Sequence, residues 1–315
     1  MKIINKVILV VVIVIGLYVS FLVASDISSI RDEILDFKTE YVPLIFGLVT
    51  LGWFIQFARW QLFLNKLEIR VPLKQSISIY ISGFSLTVIP GKVGELLKSQ
   101  LLKTRFGVPI SKSAPIVLME QLYAIIGLVI LSFFGIWYFE LGAYVLGLFV
   151  GILIFGFILI SSRKMFEKVL GILKKTKFTT KFVEPLSQSH DSIRKIAFGR
   201  ITIYASLLSS AFWFTEAVIV YFILTAFGIG DIDILQIIPT YTTSIMLGVL
   251  SFLPMGVGVV EGSLASFFSM QGIEMSLSFT IVILIRLFTR WYTVSMGFIM
   301  LKISGGLKEN VLEKD

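Results

Sequence analysis

The sequence predicts an all-α polytopic membrane protein, with six spanning helices and two broken re-entrant helical hairpins arranged as an inverted repeat. Of its 315 residues, 56% are hydrophobic and only 15% are charged, and the mean hydropathy is +0.92. The apolar residues form repeated long runs instead of alternating with polar ones, which is typical of membrane-spanning helices. The basic residues are concentrated between these runs, which predicts an orientation as well as a fold class.

Six apolar segments are long enough to cross the hydrocarbon core of a bilayer. The first begins near the N-terminus and resembles a signal peptide, but its apolar run from Val7 to Val23 is longer than a usual signal sequence core, so we interpret it as a retained helix. The predicted spans are residues 7–24, 41–62, 113–137, 141–161, 200–227 and 278–301.

The distribution of lysine and arginine predicts that both termini are cytoplasmic. With six crossings in that orientation, 21 basic residues lie in cytoplasmic segments, whereas the outer segments contain only Arg31 and Lys38. Short basic loops are retained on the cytoplasmic side of a membrane, so this asymmetry favours a multi-pass protein of the cytoplasmic membrane. Ten of the 21 lie between Arg163 and Arg200. This predicted basic cytoplasmic loop, 163–199, is either an amphipathic helix on the inner leaflet or an ordinary solvated loop.

Two further apolar stretches, 76–104 and 235–271, are interrupted by proline and glycine and are predicted to form helix-break-helix hairpins. Around them the sequence repeats: "IPGKVGELLKSQLL" and "LPMGVGVVEGSLASFF" both place Glu after a Pro and Gly-rich break. Glu95 precedes Glu120 by 25 residues, and Glu261 precedes Arg286 by the same distance. We therefore predict one membrane domain, 1–315, with a first repeat at 41–137 and a second at 200–301.

Three predicted crossings separate the two hairpins, so the hairpins enter from opposite sides and the repeat is inverted, as in secondary transporters. At each break, Pro and Gly end one half-helix, a further Gly allows close backbone approach, and Glu lies near the positive end of the next half-helix. The residues assigned to the breaks are Pro90, Gly91, Gly94, Pro254, Gly256, Gly258 and Gly262.

Several charged residues fall at membrane depth and form the candidate substrate-binding and translocation site. Each would cost roughly 2.5–3.5 kcal/mol if it faced lipid, so we expect these side chains to face one another or water. Arg286 could pair with Glu95, Glu120 or Glu261, and the sequence does not choose among them. The candidate site residues are Lys92, Glu95, Lys98, Glu120, Glu216, Glu261 and Arg286.

These charges either hold the helices together as ion pairs or form a site for a charged head group, with the basic residues binding phosphate. Arg59 and Arg290 lie nearer the cytoplasmic helix ends, and we expect them to extend to phosphate at the surface. The five tryptophans are assigned no role.

The composition argues against several other classes of function. The absence of cysteine and the single histidine, His190, leave too few ligands for zinc, haem or an iron–sulfur cluster, so we predict no metal, cofactor or catalytic residue. The formal net charge of +8 comes from segments between apolar spans, and we therefore predict membrane lipids as partners and no nucleic acid.

The two motif regions resemble the flippase-like membrane-domain family, which comprises the transmembrane region of lysylphosphatidylglycerol synthases and its stand-alone relatives. The resemblance implies a membrane domain that moves an aminoacylated phospholipid or polyprenyl-linked lipid between leaflets, and it carries over to the break residues and to Glu95, Glu120, Glu261 and Arg286. Full-length synthases add a C-terminal soluble aminoacyl-transferase domain. Because this chain resembles only their membrane part, we expect no enzymatic activity, and a separate lipid-modifying enzyme is a candidate partner.

Two functional hypotheses follow, and a third, an integral membrane enzyme that acts on lipid-linked substrates, is disfavoured because the chain has a single histidine, which lies in a basic loop. The leading one is a lipid flippase or scramblase, in which head groups cross through a polar cavity between the hairpins while acyl chains stay in the bilayer. The alternative is a secondary transporter of a small solute, with membrane carboxylates as coupling groups. The lipid identity, the energy coupling and the oligomeric state are not specified by the sequence.

Overall fold

A computed structural model describes residues 33–88, 94–133, 140–174 and 180–306. Within these ranges the protein is helical and contains no β-strand. The helices are α1 (Val42–Lys66), α2 (Leu73–Gly83), α3 (Leu97–Phe106), α4 (Ile110–Ser132), α5 (Glu140–Ser161), α6 (Arg163–Leu173), α7 (Thr180–Ala197), α8 (Arg200–Ala226), α9 (Ile234–Leu250), α10 (Val259–Met270), α11 (Met275–Arg286) and α12 (Tyr292–Ile303).

Among the residues that the structure describes, five helical segments are long and apolar enough to span a membrane, and they coincide with five of the six predicted spans. They are Thr39–Lys66, Ile110–Ser132, Leu141–Ser161, Arg200–Ala226 and Met275–Ile303. The last segment joins α11 to α12 through a π-helical turn, Leu287–Trp291. The predicted span 7–24 and residues 134–137 of the third span lie outside the described residues.

Helix α8 is central to the fold because it packs along both α1 and α4. A glycine allows one of these contacts: a Cβ atom on Gly127 of α4 would lie 2.7 Å from the carbonyl carbon of Ser209 in α8. Small residues let membrane helices approach closely where no aqueous hydrophobic effect drives their association. The buried side chains form two apolar clusters, one around the second half of α8 with α9, α10 and α11, the other around α2, α3, α7 and the start of α8.

In the described residues, each of the two broken stretches consists of a helix, an irregular segment and a second helix. In the first, α2 continues into a 3₁₀ turn at Phe84–Leu86, and α3 begins at Leu97 after residues 89–93, which are not described. In the second, α9 ends at Leu250, a 3₁₀ turn follows at Pro254–Gly256, and α10 begins at Val259. Both second helices end at a glycine-containing turn with positive φ, +66° at Gly107 and +94° at Gly272.

Backbone strain is concentrated in the second break. Phe252 and Met255 have φ of 55° and 52°, a left-handed conformation that is uncommon for residues other than glycine. Gly256 also has positive φ, and a Cβ atom there would lie 2.9 Å from the Cα atom of Gly248. The chain therefore turns back on α9 at this point, which needs two glycines in contact.

The basic segment 163–199 contains two helices, α6 and α7, in its described part. Helix α7 packs against α4, and the hydroxyl of Tyr123 in α4 donates a hydrogen bond to the carbonyl of Ile196 at 2.9 Å. Ser189 donates to the carbonyl of Ser111 at 2.8 Å. The segment is thus attached to the helical bundle, and its location on the inner leaflet stays a prediction.

Candidate functional site

A cavity of about 400 Å³ lies between the two broken stretches. Its walls come from α1, α2, α3, α4 and α8 on one side, and from α9, the second break and the α11–α12 segment on the other. Both apolar clusters contribute to the lining. At a rise of 1.5 Å per residue, Glu120 and Arg286 each lie about 15 Å along their helices from the N-terminal end. The cavity is therefore near mid-depth if these helices span the membrane.

The first charged cluster is centred on Lys98 at the start of α3. Its ammonium group lies 2.6 Å from Oε2 of Glu120 and 3.3 Å from Oε2 of Glu95, and Gln121 also donates to Glu95 at 3.0 Å. Lys98 and Glu120 are almost completely buried, whereas 16% of the Glu95 side chain is exposed. Glu95 is therefore the carboxylate of this cluster that is more accessible from the cavity.

Aromatic rings cover the other side of the Lys98 ammonium. The nitrogen lies 5.1 Å from the ring centroid of Trp60 and 5.0 Å from that of Tyr80. Their electron-rich faces stabilise a cation, and the two rings also exclude water from the Lys98–Glu120 pair. The hydroxyl of Tyr80 donates to Gln56 at 3.2 Å, which links this cluster to α1.

The second cluster joins the α11 helix to the break before α10. Nε of Arg286 lies 2.7 Å from Oε1 of Glu261, and the guanidinium also donates to the backbone carbonyl of Met255. Oε2 of Glu261 accepts from the backbone N–H of Gly258 at 2.7 Å, so Glu261 completes the N-terminal cap of α10. The sequence left three possible partners for Arg286, and in the structure Arg286 pairs with Glu261. One arginine thus holds both the strained turn and the helix after it.

The third cluster lies between α8, α9 and the π-helical turn. Glu216 accepts from the hydroxyl of Tyr241 at 2.6 Å and from Arg290 at 2.9 Å. The Arg290 guanidinium also lies 5.9 Å from the ring centroid of Trp213. The π-helical turn changes the angular position of Arg290 relative to a regular α-helix, so that it is directed at the bundle interior.

Arg59 is the fourth cation that the described residues contribute to the cavity wall. It is 3% exposed, and its Nη1 donates to the hydroxyl of Ser209 in α8. The sequence-based interpretation that Arg59 and Arg290 extend to phosphate at the cytoplasmic surface is therefore wrong. Both residues instead line the cavity, because the helices that carry them pack against α8 on that face.

The predicted site residues occupy different positions relative to the cavity. Glu95, Lys98, Glu120 and Arg286 line it, whereas Glu216 and Glu261 each hold a lining arginine. Gly94 contacts the carbonyl of Leu86, where a Cβ atom would lie 1.8 Å from the oxygen, whereas a Cβ atom on Gly262 would meet no atom of the described residues within 4 Å. Pro254 begins the 3₁₀ turn and Gly258 caps α10. Pro90, Gly91 and Lys92 lie outside the described residues.

Sequence reasoning assigned no cavity role to Arg59, Arg290, Trp53 or Trp213, all of which line the wall. The sequence of α1 did contain an indication that Arg59 faces the interior. Gln56 and Arg59 are three residues apart in an apolar run, and residues with this spacing share a helix face. Among the described residues, no group of three or more His, Asp and Glu side chains could hold a metal ion.

The hydroxyl of Tyr241 gives a first testable expectation. Replacing Tyr241 by Phe removes a hydrogen bond to a buried carboxylate and should lower the free energy of unfolding by about 1.5–3 kcal/mol. The matched control is Tyr123→Phe, which removes contacts with uncharged groups only, the carbonyls of Ile196 and Ala197 and the hydroxyl of Thr202, and should cost about 0.5–1.5 kcal/mol. Thermal or denaturant unfolding in one detergent measures both. Equal losses would contradict the hydrogen bond between Tyr241 and Glu216.

Comparison with known proteins identifies similar membrane proteins. Residues 7–297 match the family described as the lysylphosphatidylglycerol synthase TM region. A UPF0104 membrane protein of Methanocaldococcus jannaschii is 25% identical over 241 residues, which cover 72% of this chain and 96% of the relative. A second, from Methanothermobacter thermautotrophicus, is 30% identical over 115 residues, or 36% of this chain and 34% of the relative.

A third UPF0104 membrane protein, from Pyrococcus horikoshii, is 28% identical over 140 residues, which cover 44% of this chain and 38% of the relative. The matched part of this chain thus spans only about a third of two of these relatives and nearly all of the third. Their names describe membrane proteins and state no activity.

Proposed function

The chain belongs to the family of the lysylphosphatidylglycerol synthase TM region, and from that premise we propose that it moves a lipid head group between the leaflets of the cytoplasmic membrane. The observation that carries this proposal is the cavity of about 400 Å³ with charged walls between the two broken stretches. Ligand sites typically occupy about 300–1,000 Å³, so the space suits a head group.

The border of the cavity favours a lipid over a soluble solute. Val249, Phe252 and Leu253 belong to its wall, and they are 39%, 82% and 47% exposed. Exposed apolar side chains at membrane depth are stable against acyl chains, and apolar patches of this kind mark interaction sites. A head group can therefore enter the charged cavity here while its acyl chains remain among the lipids.

The proposed pathway uses an inverted repeat. In this proposal residues 7–24 form a sixth span, both termini are cytoplasmic, and the two broken stretches are re-entrant hairpins that enter from opposite faces. Half-helix ends and irregular backbone then meet at mid-depth, as they do in secondary transporters. Rocking of one half against the other would expose the cavity to each leaflet in turn.

A secondary transporter of a small solute is the alternative. The charged wall would serve that function equally well, and Glu95 would be the first candidate for coupling because it is the more exposed carboxylate of its cluster. The exposed apolar side chains belong to the wall of the cavity itself, where the acyl chains of a lipid would contact them and a soluble solute would not, and this position is why we favour a lipid substrate. A separate lipid-modifying enzyme would be a natural partner because it would supply the transported lipid.

Leaflet exchange in liposomes that contain the purified protein tests the proposal. The panel comprises labelled anionic, lysyl-modified and polyprenyl-phosphate lipids. We expect one class to exchange, and Glu95→Gln to slow that exchange by about tenfold or more, equivalent to about 1.4 kcal/mol in the barrier. The matched control is Glu167→Gln on α6, where 55% of the side chain is exposed, and it should exchange at the wild-type rate.

The experiment has a clear negative outcome. If no lipid class crosses under any ion gradient while the protein remains folded, the lipid proposal fails. Uptake of a labelled solute by the same liposomes would then support the alternative transporter. If Glu95→Gln and Glu167→Gln behave identically while lipid crosses, the path does not pass through this cavity.

A further inference from the structure

Arg59 differs from the other cations of the cavity in how its charge is compensated. Its side chain is buried and lines the wall. Nη1 donates to the hydroxyl of Ser209, which is uncharged, and the buried Nε atom has no hydrogen-bond partner. Within residues 33–88, 94–133, 140–174 and 180–306, no carboxylate lies at ion-pair distance from Arg59; Glu120 interacts with it electrostatically but is in contact with Lys98 instead.

Three other cations of the described residues line the cavity, and each is close to a carboxylate. Lys98 lies 2.6 Å from Glu120, Arg286 lies 2.7 Å from Glu261, and Arg290 lies 2.9 Å from Glu216. These ion pairs are part of the packed bundle, and an incoming anion would have to compete with them. A ligand that approaches Arg59 meets no such competition at hydrogen-bond distance.

A neighbouring amide adds a donor beside Arg59. Gln56 lies one turn earlier on the same face of α1 and also lines the cavity. Its Oε1 accepts from the hydroxyl of Tyr80, and this bond orients the amide so that Nε2 remains as a donor. Arg59 and Gln56 together therefore present hydrogen-bond donors to the cavity, with the acceptor end of Gln56 already used.

The chemistry of these donors determines which ligand fits. A buried guanidinium is stable when an anion or a set of acceptors compensates its charge. Its planar fork of N–H groups matches the oxygens of a phosphate, to which it can donate two parallel hydrogen bonds. Phosphate is also the anion that most membrane lipids carry in their head groups.

We propose that Arg59, assisted by Gln56, binds the phosphate of a lipid head group inside the cavity. This inference rests on the proposed function in taking a lipid as the ligand, and it adds the residues that recognise its phosphate: Arg59 and Gln56 bind lipids with a phosphate and do not bind lipids of the same chain length without one. The phosphate then lies beside α1 and α8, and the rest of the head group extends toward Lys98 and Glu95.

The test is a titration of the purified protein in detergent, with the thermal unfolding midpoint as the readout. The probes are phosphatidylglycerol, a glucosyl diacylglycerol with the same acyl chains and no phosphate, and inorganic phosphate. We expect only phosphatidylglycerol to raise the midpoint. The apparent Kd should increase at least about tenfold in Arg59→Gln and by an intermediate amount in Arg59→Lys, which retains the charge without the fork.

The control is Arg200→Gln, which removes an exposed arginine at the start of α8 and should bind phosphatidylglycerol as the wild type does. If Arg59→Gln does not fold, the comparison of Arg59→Lys with the wild type decides the question. Equal stabilisation by the glucosyl lipid, or unchanged binding in both Arg59 variants, would overturn the proposal. Equal stabilisation by inorganic phosphate would overturn the assignment to a lipid.

Leaflet exchange, measured separately, distinguishes this inference from the proposed function. Binding of phosphatidylglycerol that requires Arg59, without exchange of any lipid, would support the site and contradict transport. Exchange at an unchanged rate in Arg59→Gln would support transport and contradict the site.

Discussion

Replacing Arg286 by alanine is expected to lower the free energy of unfolding by about 3–5 kcal/mol, because it removes the arginine that forms an ion pair with the buried Glu261 carboxylate. Glu261 is 3% exposed, so water does not replace the lost partner. The same substitution removes the hydrogen bond to the carbonyl of Met255, which holds a residue with strained φ. Thermal and denaturant unfolding in detergent measure the loss.

A double-mutant cycle separates the ion pair from the two single effects. The variant that combines Arg286→Ala with Glu261→Gln carries neither charge of this pair, and we expect it to recover part of the stability lost in Arg286→Ala. If the two side chains do not interact, the losses will be additive: the double variant will be less stable than Arg286→Ala by the full effect of Glu261→Gln alone. Additive losses would therefore contradict the ion pair between Arg286 and Glu261.

The second large effect is expected at Gly297 in α12, where the helix contacts the end of α2. A Cβ atom on Gly297 would lie 2.3 Å from the backbone nitrogen of Ser85 and 2.8 Å from the carbonyl carbon of Phe84. Backbone atoms cannot move aside as a flexible side chain can. We therefore expect Gly297→Ala to destabilise the protein by about 3 kcal/mol, at the upper end for overpacking.

The matched control is Gly147→Ala in α5, where nothing lies within 4 Å of the added Cβ atom. Alanine is favoured over glycine inside a helix by about 1 kcal/mol, so this variant should be as stable as the wild type or slightly more so. Unfolding of both variants in one detergent gives the comparison. Equal stability of Gly297→Ala and Gly147→Ala would show that α12 does not contact α2 as described.

The spanning helices were predictable because their length and apolar content are local properties of the sequence. Five of the six predicted spans coincide with helices in the structure. The breaks at Pro254 and Gly256 were also predictable, because proline removes a helical hydrogen bond and glycine adopts positive φ. The two helices in the basic segment 163–199 were harder to predict, since the sequence favoured an amphipathic helix no more than a solvated loop.

The partners of the buried charges could not be predicted. Arg286 had three candidate carboxylates, and the choice of Glu261 depends on how α10 packs against α11. Arg59 and Arg290 were expected to extend to the surface because they lie toward helix ends. Their actual direction is set by α8, which covers one face of α1, and by the π-helical turn at Leu287–Trp291. Both causes are tertiary or irregular features that a periodic sequence pattern does not contain.

The central claim, that lipid crosses through this cavity, is tested most directly by blocking the cavity with a bulky thiol reagent. The chain has no cysteine, so a single introduced cysteine is the only reaction site. Thr87→Cys places it in the cavity wall, and Lys164→Cys places it on the exposed part of α6. Leaflet exchange is measured before and after complete labelling of each variant. We predict that labelling stops exchange in Thr87→Cys and leaves it unchanged in Lys164→Cys, whereas undiminished exchange in fully labelled Thr87→Cys would contradict the claim.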